Sequence, residues 1–137
     1  MTKYLAHSAK GDIPPQSYLE HMTRVRAAAI QNAQAAARYA ALDGALLEHV
    51  AATAASVHDL GKLHEENQAA LRKADNRASL PINHVDAGVA CLQKCHRNSI
   101  NAQVIVYSHH RGLPDMVAEG NRGRIFSGMI SRKSAIW

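Results

Sequence analysis

His58 and Asp59 stand side by side and are followed by Leu60-Gly61-Lys62. Further imidazoles are spaced around this run: His21 before it, then His84, then the adjacent pair His109-His110. Neutral imidazole and ionised carboxylate are good ligands for first-row transition metals. A carboxylate also bridges two ions, and Asp59, directly after His58, suits both tasks. Two ions about 3.5–4 Å apart activate a water and stabilise the leaving oxygen of a phosphate ester. Lys62, one turn beyond Asp59, offers a cation for charge that builds on phosphate in the transition state. These residue types together predict a metal-dependent phosphoester hydrolase. A lone His-Asp pair carries almost no information, because a histidine on an apolar stripe is usually a core residue. The glycine and lysine that follow, and the ordered histidines downstream, make the pattern specific.

The elements that must position these groups are legible as helices. The spacing predicts a helix from about Gln16 to Leu42, with apolar positions Leu19, Met22, Val25, Ala29, Ile30 and Ala33, begun after Pro15 and stopped by Asp43-Gly44. A second helix is expected from about Ala45 to His58, with Leu47, Val50, Ala51, Ala54, Val57 and His58 on one face. That places His58 on the buried stripe, near the helix end, where a loop containing Gly61 begins. A third, more polar helix is expected over Leu63 to Ala74, then a loop over Asp75 to Asn83. A fourth covers His84 to about Cys95, and a fifth about Ile100 to His110, broken by Arg111-Gly112-Leu113-Pro114. Gly88, one turn after His84, leaves room for another helix to approach the imidazole. Residues 1–15 read as an irregular lead-in, and Val104-Ile105-Val106-Tyr107 is the one stretch with strand character, on helical flanks. The expected fold is an all-α, compact globule of about five or more helices, forming a single domain over residues 1–137.

Composition narrows the class. Nearly half of the 137 residues are hydrophobic but only 4% are aromatic, so alanine, leucine and valine must fill the core. No apolar run approaches the roughly 18 residues that a membrane span needs, and no secretion signal is legible at the N-terminus. The net charge of +5 favours a polyanionic partner such as nucleic acid, set against an ordinary solvated basic surface. Cys91 and Cys95 lie one helical turn apart, a poor geometry for a disulfide, and with His96 they offer too few ligands for zinc. Two reduced, core-facing thiols in a cytoplasmic setting are expected. His49 and His64 lack motif context, as does His96. Arg72-Lys73, Lys94, Arg97, Arg111, Arg122, Arg124, Arg132 and Lys133 are candidates for a strand path, though scattered basic residues more often form a solvated face.

Four stretches together resemble one family: Ala6-His7-Ser8; Leu19-Glu20-His21-Met22; His58-Asp59-Leu60-Gly61-Lys62 with Asn67-Gln68; and His84 with Ala87-Gly88 plus His109-His110-Arg111-Gly112-Leu113-Pro114-Asp115. The chain is similar to the HD superfamily of metal-dependent phosphohydrolases. Within it, it resembles the HD nuclease domain of the type I CRISPR-associated nuclease-helicase, over residues 5–115. That resemblance implies a prokaryotic, cytoplasmic protein that cuts single-stranded DNA in antiviral defence. It implies one or two divalent ions (manganese, iron, nickel or cobalt), held by His21, His58 and Asp59 and by Asp59, His84, His109 and His110, with Asp59 bridging. Asp59 and Lys62 would be the catalytic groups, Lys62 on the scissile phosphate. The partners implied are the DNA strand, a helicase (fused or separate) and an RNA-guided surveillance complex, without a membrane. The family pattern ends with an aspartate on a later helix. After His110 this chain has only Asp115, within the Gly-Leu-Pro-Asp loop, and Glu119. The expectation is a chain lacking C-terminal helices, or an incomplete first metal site. The alternatives are an HD phosphohydrolase acting on nucleotides or cyclic nucleotides, and a degenerate HD module that docks a partner or binds nucleic acid without cutting.

Overall fold

The computed structural model describes residues 4–41, 43–73, 79–95, 99–110 and 112. Its elements are β1 (Leu5–His7), β2 (Gln16–Ser17), α1 (Tyr18–Ala37), α2 (Gly44–Ala55), a 3-10 turn (Leu60–Leu63), α3 (Glu65–Arg72), α4 (His84–Cys95) and α5 (Ile100–Ser108). The fold is all-α, with one small two-stranded sheet.

The lead-in expected to be irregular is a hairpin. β1 and β2 pair antiparallel, Leu5 opposite Ser17, and Lys10 and Ile13 exchange backbone hydrogen bonds around Gly11, whose φ is +55°. Strands this short leave no alternating pattern to read. A glutamine side chain of α3, Gln68, also holds β1 through both polar groups of Leu5. Ser17 then caps α1, its hydroxyl accepting the Glu20 N–H at 3.2 Å. A Ser-x-x-Glu spacing is a known helix-start signal. The expected boundary at Pro15 therefore lies two residues too early.

Two other boundaries shift for the same reason. α1 ends at Ala37, not near Leu42, and Asp43 does not stop it. Asp43 caps α2 instead, accepting from Ala45 N at 2.9 Å and Leu46 N at 3.3 Å. A short acidic side chain satisfies the free N–H groups at a helix start, so it marks beginnings more often than ends. The third helix, expected from Leu63, begins at Glu65, because Leu63 closes the 3-10 turn and His64 caps α3. α4 and α5 begin where the spacing placed them, and Val104–Tyr107 is helical.

The core joins α2, α4 and α5. Ala54, Val89, Leu92, Ala102, Val106 and Tyr107 form its buried centre, with Val50, Val57 and Val104 against it. Small side chains allow close approach. A Cβ on Gly88 would stand 2.3 Å from the Val57 carbonyl oxygen, so α4 meets the end of α2 only because that position is glycine. α1 packs mainly on α2. Its stripe is narrower than the spacing implied: Ala33 is buried and Met22, Val25, Ala29 and Ile30 are half-buried, but Leu19 is 77% exposed. Cys91 is half-buried and Cys95 exposed, both free, so only one of the expected core-facing thiols faces the core. Among the described residues, no helix is long and apolar enough to cross a membrane.

Candidate metal centre

Four helix ends meet at one point. His21 lies in the first turn of α1, and His58 and Asp59 follow the last turn of α2. His84 opens α4, and His109 and His110 follow the last residue of α5. Side chains at helix ends carry chemistry without interrupting the packed faces that hold the helices.

Asp59 is the hub, 2% exposed. Its Oδ2 lies 3.0 Å from His21 Nε2, 3.3 Å from His58 Nε2 and 2.8 Å from Lys62 Nζ. Its Oδ1 lies 3.6 Å from both His84 Nε2 and His109 Nε2. His21 Nε2 and His58 Nε2 are themselves 3.3 Å apart. One donor atom from each of Asp59, His84, His109 and His110 falls within 4.8 Å of the others, and the same holds for His21, His58 and Asp59. The six histidine and aspartate ligands expected from sequence are therefore brought together in two groups that share Asp59.

The donor set fits a metal ion. A metal–nitrogen bond of about 2.1 Å puts neighbouring donors about 3.0 Å apart in an octahedron and about 3.4 Å in a tetrahedron. The triangle of His21, His58 and Asp59 Oδ2 has sides of 3.0, 3.3 and 3.3 Å. On the other side, Asp59 Oδ1, His84 Nε2 and His109 Nε2 are buried and have no hydrogen-bond partner. Burying such atoms unpaired is costly, and a cation among them removes the cost.

The rings are aimed by the backbone. His58 Nδ1 lies 2.9 Å from the Ala55 carbonyl oxygen, and His109 Nδ1 sits on that of Val106. Donating the Nδ1 proton to a carbonyl three residues back leaves Nε2 with its lone pair turned to Asp59. Sequence reasoning missed these two carbonyls, although the position of each histidine just past a helix end was the available signal.

Sequence reasoning also left Asn67 and Gln68 without roles beyond the resemblance. Both are almost fully buried. Asn67 donates to the carbonyls of Gly61 at 2.8 Å and Ile82 at 3.0 Å, and accepts from Ile82 N at 3.0 Å. It thus clamps the 3-10 turn to the segment that leads into His84. Gln68 donates to Lys62 O at 2.7 Å and Leu5 O at 2.8 Å, and accepts from Leu5 N at 2.9 Å. That amide carries β1, and with it His7, to the edge of the site. The His7 ring stands edge-on to His21, centroids 4.8 Å apart. Gly61 completes the clamp, since a Cβ there would be 2.5 Å from His84 Cα.

Lys62, expected to face a phosphate, is 6% exposed, with its ammonium resting on Asp59. Burial pushes the Asp59 carboxyl up, but polar contacts with His109, His58 and Lys62 outweigh it and hold the group well below the usual carboxylate range. Burial also lowers His84, to about 4, and lowers His7, His21 and His110. For His58, burial is outweighed by Asp59 and the Ala55 carbonyl, which raise it. At neutral pH most of these rings are thus neutral, the form that binds metal.

The remaining sequence expectations fall elsewhere. His49 and His64 are exposed. Arg72, Lys73 and Lys94 are exposed on α3, its C-cap and α4. His96, Arg97, Arg111, Asp115, Glu119, Arg122, Arg124, Arg132 and Lys133 lie outside the described residues. No protein-family model, curated protein or solved structure matches the chain.

Proposed function

We propose that this protein is a metal-dependent nuclease that hydrolyses phosphodiester bonds in single-stranded DNA, as in CRISPR interference, with Asp59 shared between two ions. The observation that carries the reading is the donor geometry around Asp59. One carboxylate oxygen closes a 3.0–3.3 Å triangle with His21 and His58, and the other faces two orphaned imidazole nitrogens. A pair of divalent transition ions such as manganese, iron, nickel or cobalt would supply Lewis acidity and lower the pKa of a water. His21, His58, His84, His109 and His110 would hold the ions, and Asp59 would bind one with each oxygen.

Hydrolysis adds a water oxygen to phosphorus, breaks the P–O ester bond and leaves a proton on the departing oxygen. The protein's own groups set the conditions. Lys62, with its ammonium 2.8 Å from Asp59 Oδ2, would add positive charge beside the ions, near where negative charge accumulates in the transition state. His7 is exposed beside His21, at the rim of the cluster. The excess of lysine and arginine over acidic residues, 16 against 11, favours a polyanion over a small neutral substrate. The ordered motifs resemble those of HD nuclease domains, which supports a helicase-fed strand as substrate in a prokaryotic cytoplasm.

The test is a metal-screened cleavage assay. Labelled single-stranded DNA, double-stranded DNA and a panel of nucleotides and cyclic dinucleotides are each incubated with manganese, iron, nickel or cobalt, beside Asp59→Asn. Cleavage of the single strand alone, lost at least a thousandfold in Asp59→Asn, is the expected result. Turnover confined to nucleotides would assign the site to a small-molecule phosphohydrolase. Bound metal with no turnover of any substrate would assign it to a docking module.

A further inference from the structure

The two ends of the Asp59 carboxylate are not equivalent. Oδ2 already carries a cation, the Lys62 ammonium at 2.8 Å, inside a site where Asp59 is 2% and Lys62 6% exposed. Oδ1 has no hydrogen-bond partner and faces the unpaired Nε2 atoms of His84 and His109. The Oδ1 group has four donor residues, Asp59, His84, His109 and His110, while the Oδ2 group among the described residues has three, His21, His58 and Asp59. An ion arriving at Oδ1 pairs three buried polar atoms. An ion arriving at Oδ2 must share that oxygen with a like charge held in place by the 3-10 turn.

We infer that Lys62 is a built-in counter-cation that makes the two half-sites unequal: the first divalent ion binds at Asp59 Oδ1 with His84, His109 and His110, and Lys62 weakens the second ion at Oδ2. Repulsion between an ammonium and a divalent ion sharing one buried oxygen is weakly screened compared with a pair in open solvent. The same ammonium explains how a buried carboxylate is tolerated before metal arrives, since a buried charge needs a partner. Lys62 thus holds the site folded in the metal-free protein and sets the order in which it fills. This rests on the metal reading above and deepens it.

Manganese titration of the full chain tests the inference, read by calorimetry and by the electron paramagnetic resonance signal of free Mn2+. The wild type is expected to bind one ion tightly and a second at least tenfold more weakly, or to bind one ion only. His84→Ala should remove the tight class and His21→Ala the weak one. Lys62→Met should narrow the ratio of the two affinities at least tenfold, or admit a second ion where the wild type takes one. Lys62→Arg, which keeps the charge, should preserve the inequality. Should Lys62→Met fail to fold, judged by circular dichroism, Lys62→Gln is read in the same way. Two equal sites in the wild type, or an unchanged ratio in the charge-free variants, overturns the inference and leaves the metal reading standing. No Mn2+ bound by any form overturns the metal reading itself.

Discussion

Asp59 concentrates the consequences of a single side chain. Its Oδ2 neutralises Lys62 and lies beside the His21 and His58 rings, and its Oδ1 faces the His84 and His109 rings. Truncating it strands the Lys62 ammonium in a buried place, and breaking a buried pair costs about 3–5 kcal/mol. Asp59→Ala should therefore lose both metal binding and that much stability. Asp59→Asn keeps the shape and should unfold closer to the wild type while binding no ion tightly. Chemical denaturation of the two variants with metal removed checks the difference. Equal stability of Asp59→Ala and wild type would show that Lys62 needs no partner.

The 3-10 turn, α3 and the segment before α4 act as one clamp. Asn67 and Gln68 tie three chain segments together through backbone groups, and both are among the most buried side chains of the protein. Gln68→Ala leaves the N–H and C=O of Leu5 and the C=O of Lys62 without their partner. An unsatisfied buried group costs about 1–3 kcal/mol, so the variant should lose about 3 kcal/mol in denaturant unfolding. Faster amide exchange at Leu5 would locate the loss in β1, and unchanged exchange there would count against the clamp. Gly61→Ala acts on the same joint from the other side. Its Cβ would meet the His84 backbone at 2.5 Å, and overpacking of this kind costs about 1–3 kcal/mol. Because the displaced atoms belong to His84, Mn2+ affinity should fall at least tenfold as well.

Across the whole molecule, charge and pH act through the same cluster. His84 has a folded-state pKa lowered from 6.5 to about 4, and His7, His21 and His110 are lowered too, all by burial. As pH falls below 6.5 the unfolded chain takes up protons that these folded rings resist, so folding loses stability from about 6.5 down to about 4. His58, raised in the folded state, works in the opposite direction. Asp59 is depressed, so its contribution is present above 3.8 and is lost only at lower pH, outside this window. The melting temperature of the metal-free protein should fall steadily between pH 6.5 and 4. A flat profile there would mean that the rings are freely solvated. Binding to single-stranded DNA should weaken as salt rises, with a slope of about 0.7 per phosphate neutralised in log–log form. Salt-independent binding would remove the case for a charge-guided strand.

The candidate ligand types and their order were legible in the linear chain because metal chemistry admits few residue types, and His58-Asp59-Leu60-Gly61-Lys62 brings several of them together. Helical spacing likewise revealed α4 and α5 over nearly their observed lengths. Stripes of apolar residues report burial, and burial is what most helices are made for. The hairpin was not legible, because strands of two and three residues leave no alternation to read, and part of what holds β1 is Gln68, binding Leu5 from 63 residues away. Nor was the role of Asp43, since a short acidic residue between two helices suits either end until the free N–H groups are located. The inequality of the two carboxylate oxygens belonged to the tertiary structure alone. Lys62 lies within a turn of Asp59 in the sequence, but which rings face the other oxygen depends on how α4 and α5 bring His84 and His109 to it, and the 3-10 turn meets His84 closely only because Gly61 has no Cβ.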